Sequence, residues 1–108
     1  ASIANQRWKN GQRIDSNWYA DEFIEIHEES MVEHTMLSTG ASIEKATLSK
    51  CSLLENVRIE ANSILSETLI GRNTTIGRNC SLKNVVVDHE STIPDNTVLS
   101  DTQWPIVD

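Results

Sequence analysis

The chain has 108 residues, one domain's worth, with a net charge of −7 and a pI near 4.8. Binders of nucleic acid or anionic membrane gather positive charge on one surface, so this balance argues against both as partners, while an anionic small molecule can still use a local basic site. No apolar run is long enough to span a bilayer, and the opening residues, ASIANQRWKNGQR, lack the apolar core of a secretory signal; the expected setting is the cytoplasm.

Residues 1–25 contain Trp8, Trp18, Tyr19 and Phe23 but no evident period, and are read as an N-terminal cap or linker. From Ile26 an aliphatic residue returns every five or six positions: Ile26, Val32, Leu37, Ile43, Leu48, Leu53, Ile59, Leu65, Ile70, Ile76, Leu82, Val87, Ile93 and Leu99. Two places before each stop after Ile26 stands a small or slim residue, among them Ser30, Ala41, Cys51, Ser63, Thr74, Cys80 and Thr97. A helix repeats every 3.6 residues and a strand every two, so neither element alone explains this spacing.

Three steps return the chain to register after 16 or 17 residues, which sorts the stops into three columns. Ile26, Ile43, Ile59, Ile76 and Ile93 form the first; Val32, Leu48, Leu65, Leu82 and Leu99 the second; Leu37, Leu53, Ile70 and Val87 the third. Three columns imply a three-sided coil of about four turns over residues 26–99, with the strands of each side stacked in parallel about 4.8 Å apart. Each side offers one aliphatic residue to the axis and one small residue near a corner. In the repeated phrase IGRN, Gly71 and Gly77 relieve crowding between coils, and Asn62, Asn73, Asn79 and Asn96 take a recurring turn position, where Asn tolerates left-handed torsions. Residues 100–108, DTQWPIVD from Asp101, follow as a C-terminal cap or tail. The aromatic residues gather at the two ends, where an open solenoid needs its strand edges covered; the other reading makes Trp8, Trp18, Tyr19 and Trp104 an interface for another domain or subunit.

The pattern of aliphatic, small, two variable, small, variable resembles that of the hexapeptide-repeat family. The resemblance implies an all-β fold, a left-handed parallel β-helix, against the usual right-handed rule for parallel crossovers.

Residues 17 apart should lie above one another on the outside of such a coil. His34, Lys50, Glu67, Asn84 and Asp101 make one ladder; Thr39, Glu55, Arg72 and His89 a second; Glu28, Lys45, Ala61, Arg78 and Asp95 a third. Opposite charges are often neighbours there, and most are read as solvated surface pairs. Some acyltransferases of the hexapeptide type use a histidine as general base, which makes His89 a candidate; the plainer reading places it in the Glu55, Arg72 ladder. His27, His34 and His89 share no column, so no metal site is expected. Cys51 and Cys80 sit at small corner positions, as compact apolar side chains in columns too far apart for a disulfide. From Asp15 to Glu44 there are eight acids and no Lys or Arg; Lys45 to Lys83 holds six bases and three acids. Arg72, Arg78 and Lys83 are therefore the candidate site for a phosphorylated effector.

The closing stretch NCSLKNVVVDHESTIPDNTVLSD is similar to the C-terminal β-helix of bacterial ADP-glucose pyrophosphorylases, through Val85, Val86, Val87, Asp88, His89, Ile93, Pro94, Asp95 and Leu99. Upstream, Ser30, Met31, Val32, Ser52, Leu53, Leu54, Val57, Arg58 and Ile59 resemble its opening coils. The resemblance spans about residues 29 to 101 and implies a β-helix without catalytic residues of its own. It implies a non-catalytic module for regulation and homo-oligomerisation, joined to a catalytic α/β nucleotidyltransferase domain in glycogen or glucan synthesis. No cofactor is expected in this chain, and ATP and Mg belong to that catalytic domain. A small trimeric hexapeptide acyltransferase and a free-standing β-helix interaction protein are the alternatives.

Overall fold

The computed structural model describes residues 12–14, 17–19 and 23–106, and every regular element in them is a β-strand. The first face is a five-stranded parallel sheet of β3 (Glu25–Ile26), β6 (Ser42–Ile43), β9 (Arg58–Ile59), β12 (Thr75–Ile76) and β14 (Thr92–Ile93). The second stacks β4 (Met31–Glu33), β7 (Thr47–Ser49), β10 (Ile64–Ser66), β13 (Ser81–Val87) and β15 (Val98–Trp104). The third carries β2 (Asn17–Tyr19), β5 (Met36–Leu37), β8 (Ser52–Leu53) and β11 (Leu69–Ile70), then the far halves of β13 and β15. Because β13 and β15 run through a corner without a break, the second and third faces form one ten-stranded sheet.

The three columns exist as read. Ile59 pairs with Ile76, Leu65 with Leu82 and Ile70 with Val87, each directly above its predecessor. All three columns point inward, and Leu37, Leu48, Ile59, Leu65, Ile70, Ile76 and Ile93 are wholly buried. At roughly 1.5–3 kcal/mol for each fully buried aliphatic side chain, this axial stack is the main stabilising element of the fold.

The small residues have a second task. A corner leaves backbone groups outside the sheet ladders, and the hydroxyl of one coil receives the N–H of the next: Ser30 Oγ from Ala46 at 3.0 Å, Thr35 Oγ1 from Cys51 at 3.4 Å, Ser63 Oγ from Cys80 at 3.0 Å, Thr74 Oγ1 from Ser91 at 3.3 Å. Among the described residues no buried side-chain nitrogen or oxygen lacks a hydrogen bond. A slim residue thus fits the slot, and a slim hydroxyl also satisfies it.

The repeat reaches further than its aliphatic signal. The backbone of β2 pairs in parallel with β5, Tyr19 in register with Leu37 and Trp18 with Met36, while β1 (Gln12–Ile14) pairs antiparallel to β2. Asn17 occupies the small corner position, and its Oδ1 accepts the Thr35 N–H at 3.0 Å while its Nδ2 donates to the Val32 carbonyl at 2.7 Å. At the other end β15 carries the third face to Trp104, in register with Val87 and packed on the core. The sheet therefore begins before residue 26 and continues past 99: the third face has six levels where the aliphatic stops supplied four, and the first two faces have the five that their columns supplied. Ile24, at the corner position below Ala41, is buried there although its side chain is larger than those above it.

Candidate functional site

The outer surface is organised by its corners. From His34 onward each corner turns on one residue with positive φ, immediately before the small residue of the next side. His34, Lys50, Glu67, Asn84 and Asp101 do this between the second and third faces, with φ between 50° and 55°. Gly40, Asn56, Asn73 and Glu90 do it between the third and first faces, and Lys45, Asn62, Asn79 and Asn96 between the first and second. The four asparagines singled out by sequence share this torsion but belong to two corners, Asn73 standing apart from the other three. Asparagine tolerates this region better than most residues, and the stack supports it: Asn56 Nδ2 donates to Asn73 Oδ1 at 3.2 Å, and Asn84 Nδ2 to Asp101 Oδ1 at 2.9 Å.

The three basic residues read as an effector site are exposed but do not converge. Arg72 follows the third column, Arg78 the first, and Lys83 the second, so one coil places them at three successive positions around the prism. A single phosphate would meet one of them together with its stacked neighbours, not all three. Among the described residues the ion pairs lie elsewhere: Arg58 with Glu44 at 2.9 Å and Glu60 at 3.6 Å, and Lys45 with Glu29 at 3.8 Å. Lys45 also departs from its expected ladder. The step from Ile43 to Leu48 is five positions where others are six, and the shortened turn puts the Lys45 carbonyl under the Asn62 N–H at 2.8 Å.

The repeated IGRN phrase builds two matching contacts. Arg72 donates its backbone N–H to His89 Nδ1 at 2.8 Å, and Arg78 donates its own to Asp95 Oδ1 at 2.8 Å. In each case a side chain from the next coil closes the turn after a glycine. A Cβ on Gly71 would come within 2.6 Å of the His89 nitrogen, and one on Gly77 within 2.8 Å of the Asp95 nitrogen. Glycine is needed at both because the next backbone turn presses directly on it. For His89 this geometry has a chemical consequence. Accepting at Nδ1 occupies the lone pair of the neutral ring and leaves its proton on Nε2, so the ring serves the turn and has no free basic nitrogen in this arrangement.

Cys51 and Cys80 are buried free thiols at corner positions. Cys51 Sγ donates to the Ser49 carbonyl at 3.3 Å and Cys80 Sγ to the Pro94 carbonyl at 3.2 Å, the thiol counterpart of the hydroxyl contacts. Burial raises the Cys51 pKa above its ordinary value of 9.0, with backbone hydrogen bonding at Thr68 and Ser49 opposing part of the rise, so the group stays protonated at neutral pH. Among the described residues no group of three His, Cys, Asp or Glu side chains could hold a metal ion. Of the aromatic residues read as an interface, Trp8 lies outside the described residues, Trp18 and Tyr19 are placed by backbone register on the third face, and Trp104 packs on the core beside Val86, Asp88, Gln103 and Pro105 around a hollow of about 190 Å³.

Residues 21–103 match the family described as GlmU-like, C-terminal hexapeptide. The chain belongs to that family. As a GlmU-like hexapeptide domain, it is a left-handed parallel β-helix. It is 30% identical over 95 residues to a glucose-1-phosphate adenylyltransferase of Haemophilus influenzae, an alignment covering 86% of this chain and 21% of the relative. With the enzyme of the same name from Nitrosospira multiformis it shares 38% identity over 60 residues, or 56% of this chain and 14% of that one. The chain thus spans about a fifth or less of the curated relatives it matches. In shape it is similar to serine acetyltransferase isoform 3 from Entamoeba histolytica, solved with cysteine, with a TM-score of 0.55, 16% identity, and coverage of 70% of this chain and 34% of that one. That likeness concerns the fold alone.

Two features of this hexapeptide domain escaped the sequence reading. Asp95 was read as a surface charge and as part of the closing stretch, whereas its position one coil above Arg78 makes it a turn-closing acceptor. The residues just before the aliphatic stops, which point outward, include Met31, Ile64 and Val98 on the second face and Met36, Leu69 and Val86 on the third, all exposed. On the first face the same position reads Glu25, Ser42, Arg58, Thr75 and Thr92.

Proposed function

We propose that this chain is the non-catalytic regulatory and oligomerisation β-helix of an ADP-glucose pyrophosphorylase-like enzyme, a glucose-1-phosphate adenylyltransferase of glycogen or glucan synthesis in the cytoplasm. The observation carrying this reading is the 30% identity that continues over 95 residues to a relative roughly four times as long. A catalytic α/β nucleotidyltransferase domain is then the partner in the same polypeptide, and ATP, glucose 1-phosphate and Mg bind there. The β-helix supplies a rigid prism with one polar face and two faces bearing exposed apolar residues, suited to holding subunits and a neighbouring domain in fixed relation. A phosphorylated effector would use one of Arg72, Arg78 or Lys83 at a domain junction, with the second half of its site contributed across that junction.

The small trimeric acyltransferase has the shared fold in its favour, but the engagement of His89 Nδ1 by Arg72 speaks against the histidine that such a reaction would use. The free-standing interaction protein has no comparable observation behind it. The test is enzymatic. The full-length product of the gene, purified with Mg, should form ADP-glucose and pyrophosphate from ATP and glucose 1-phosphate, while the 108 residues alone should not. Thioester-dependent acyl transfer by the 108 residues, abolished in His89→Ala, would overturn the proposal.

A further inference from the structure

The second face differs from the first in a way that points to its occupant. Its outward residues before the aliphatic stops run Met31, Thr47, Ile64, Ser81 and Val98, one above another. Large apolar side chains alternate with small hydroxyls, and Met31, Ile64 and Val98 are 69%, 57% and 74% exposed. The residues after the stops run Glu33, Ser49, Ser66, Lys83 and Ser100, a hydroxyl column holding one acid and one base. Neither Glu33 nor Lys83 forms an ion pair among the described residues, and three rungs, about 14 Å, keep them from meeting within one chain. On the first face, by contrast, Arg58 is already paired with Glu44 and Glu60 of its own chain.

We infer that this face pairs with the same face of a second copy, the two prisms antiparallel about a two-fold axis that runs along the strands. Such an axis turns each outward column onto the same column of the partner in reverse order. Centred between the rungs of β7 and β10, it sets Glu33 against the second copy's Lys83, and Lys83 against the second copy's Glu33. In the same register Ile64 opposes Thr47 and Met31 opposes Ser81, a large side chain against a small one in both cases, while Val98 on β15 extends past the end of the second copy. Charge and relief agree on one register.

Four rungs overlap in this register, and at about 4.8 Å each and roughly 17 Å wide they give about 330 Å² per copy, less than half of what a standard interface takes from each partner. The pairing is therefore weak for the isolated domain, with a dissociation constant on the order of 100 μM, and it weakens as salt screens the two ion pairs. It does not depend on the identity of the parent enzyme, because every group invoked belongs to this face.

The test is sedimentation velocity of the 108-residue chain up to about 1 mM in low salt, with charge-reversed variants. The wild type should approach twice 12.1 kDa. Glu33→Lys and Lys83→Glu should each weaken association about tenfold, and the double variant should return it to within about threefold of wild type, since both pairs are restored with their signs exchanged. Both positions are exposed, and circular dichroism confirms that each variant folds. The register is read by disulfide capture: an equimolar mixture of Thr47→Cys and Ile64→Cys chains should cross-link faster than Ile64→Cys alone. A monomer at every concentration, a double variant as weak as the singles, or faster self-linking of Ile64→Cys would overturn the inference.

Discussion

The inner coils and the end coils of this prism follow one geometric rule with different strictness. Between Ile59 and Val87 every axial residue is fully or almost fully buried, every corner slot holds a slim residue, and glycine stands where the next turn descends. At the ends Val32, Leu99 and Trp104 are only partly buried, Asn17 replaces a small hydroxyl, and Ile24 fills a corner that elsewhere admits Ala, Val, Thr or Ser. A middle coil is packed from above and below, so its side chains must match both neighbours, whereas an end coil has one neighbour and admits wider variation.

The largest effect should separate the two regions directly. Leu65→Ala removes a wholly buried side chain from the middle of the second column and should cost about 3 kcal/mol in urea unfolding, whereas Leu99→Ala at the top of the same column should cost about 1 kcal/mol. Equal losses would mean that the end coil is as tightly enclosed as the middle. Gly77→Ala should cost about 2 kcal/mol, because its Cβ meets Asp95 backbone nitrogen at 2.8 Å and the Ile93 carbonyl at 2.9 Å; the same assay reads it, and a neutral result would show that the coils spread freely. Asp95→Ala keeps the packing and removes only the acceptor for the Arg78 N–H, with an expected loss of about 1 kcal/mol, while Asp95→Asn should recover most of it.

Buried Cys51 adds a pH signature. Its folded pKa is raised above the unfolded value of 9.0, so above that pH the unfolded chain releases the thiol proton before the folded one does. Stability should be flat below pH 8 with respect to this group and fall as pH rises past 9.0, a fall that Cys51→Ala abolishes; thiol reagents should label Cys51 only at the rate of unfolding. The smallest effect belongs to the surface. Arg58→Ala removes the pairs with Glu44 and Glu60, whose side chains are 45% and 27% exposed, and a double-mutant cycle with Glu44 should return about 0.5 kcal/mol or less.

How much of this was legible in the sequence depended on the chemistry of each position. The axial columns and corner slots were readable because burial at fixed geometry restricts both to a few residue types, and that restriction survives at every level from Ile26 to Leu99. The coil through Asn17 and Tyr19 was hidden because an aromatic took the aliphatic place, an amide took the hydroxyl place, and the step to Thr35 is 18 residues. Arg72, Arg78 and Lys83 were grouped by charge along the chain, although their columns already assigned them to different sides; proximity in sequence outweighed the geometry that the repeat itself supplies. The outward residues Met31, Ile64 and Val98 were silent for another reason. Each stands directly before an aliphatic stop in its own segment, and only the register of the sheet makes them a column.

The most direct test of the central claim, that this hexapeptide domain belongs to a nucleotidyltransferase, is the mass of the polypeptide that carries it in its source cells, read with an antibody against the β-helix and peptide sequencing of the band. A species several times heavier than 12.1 kDa, with a Gly-rich nucleotide loop among its upstream peptides, is the expected result. An endogenous species of about 12 kDa would contradict it and leave the prism as a protein in its own right.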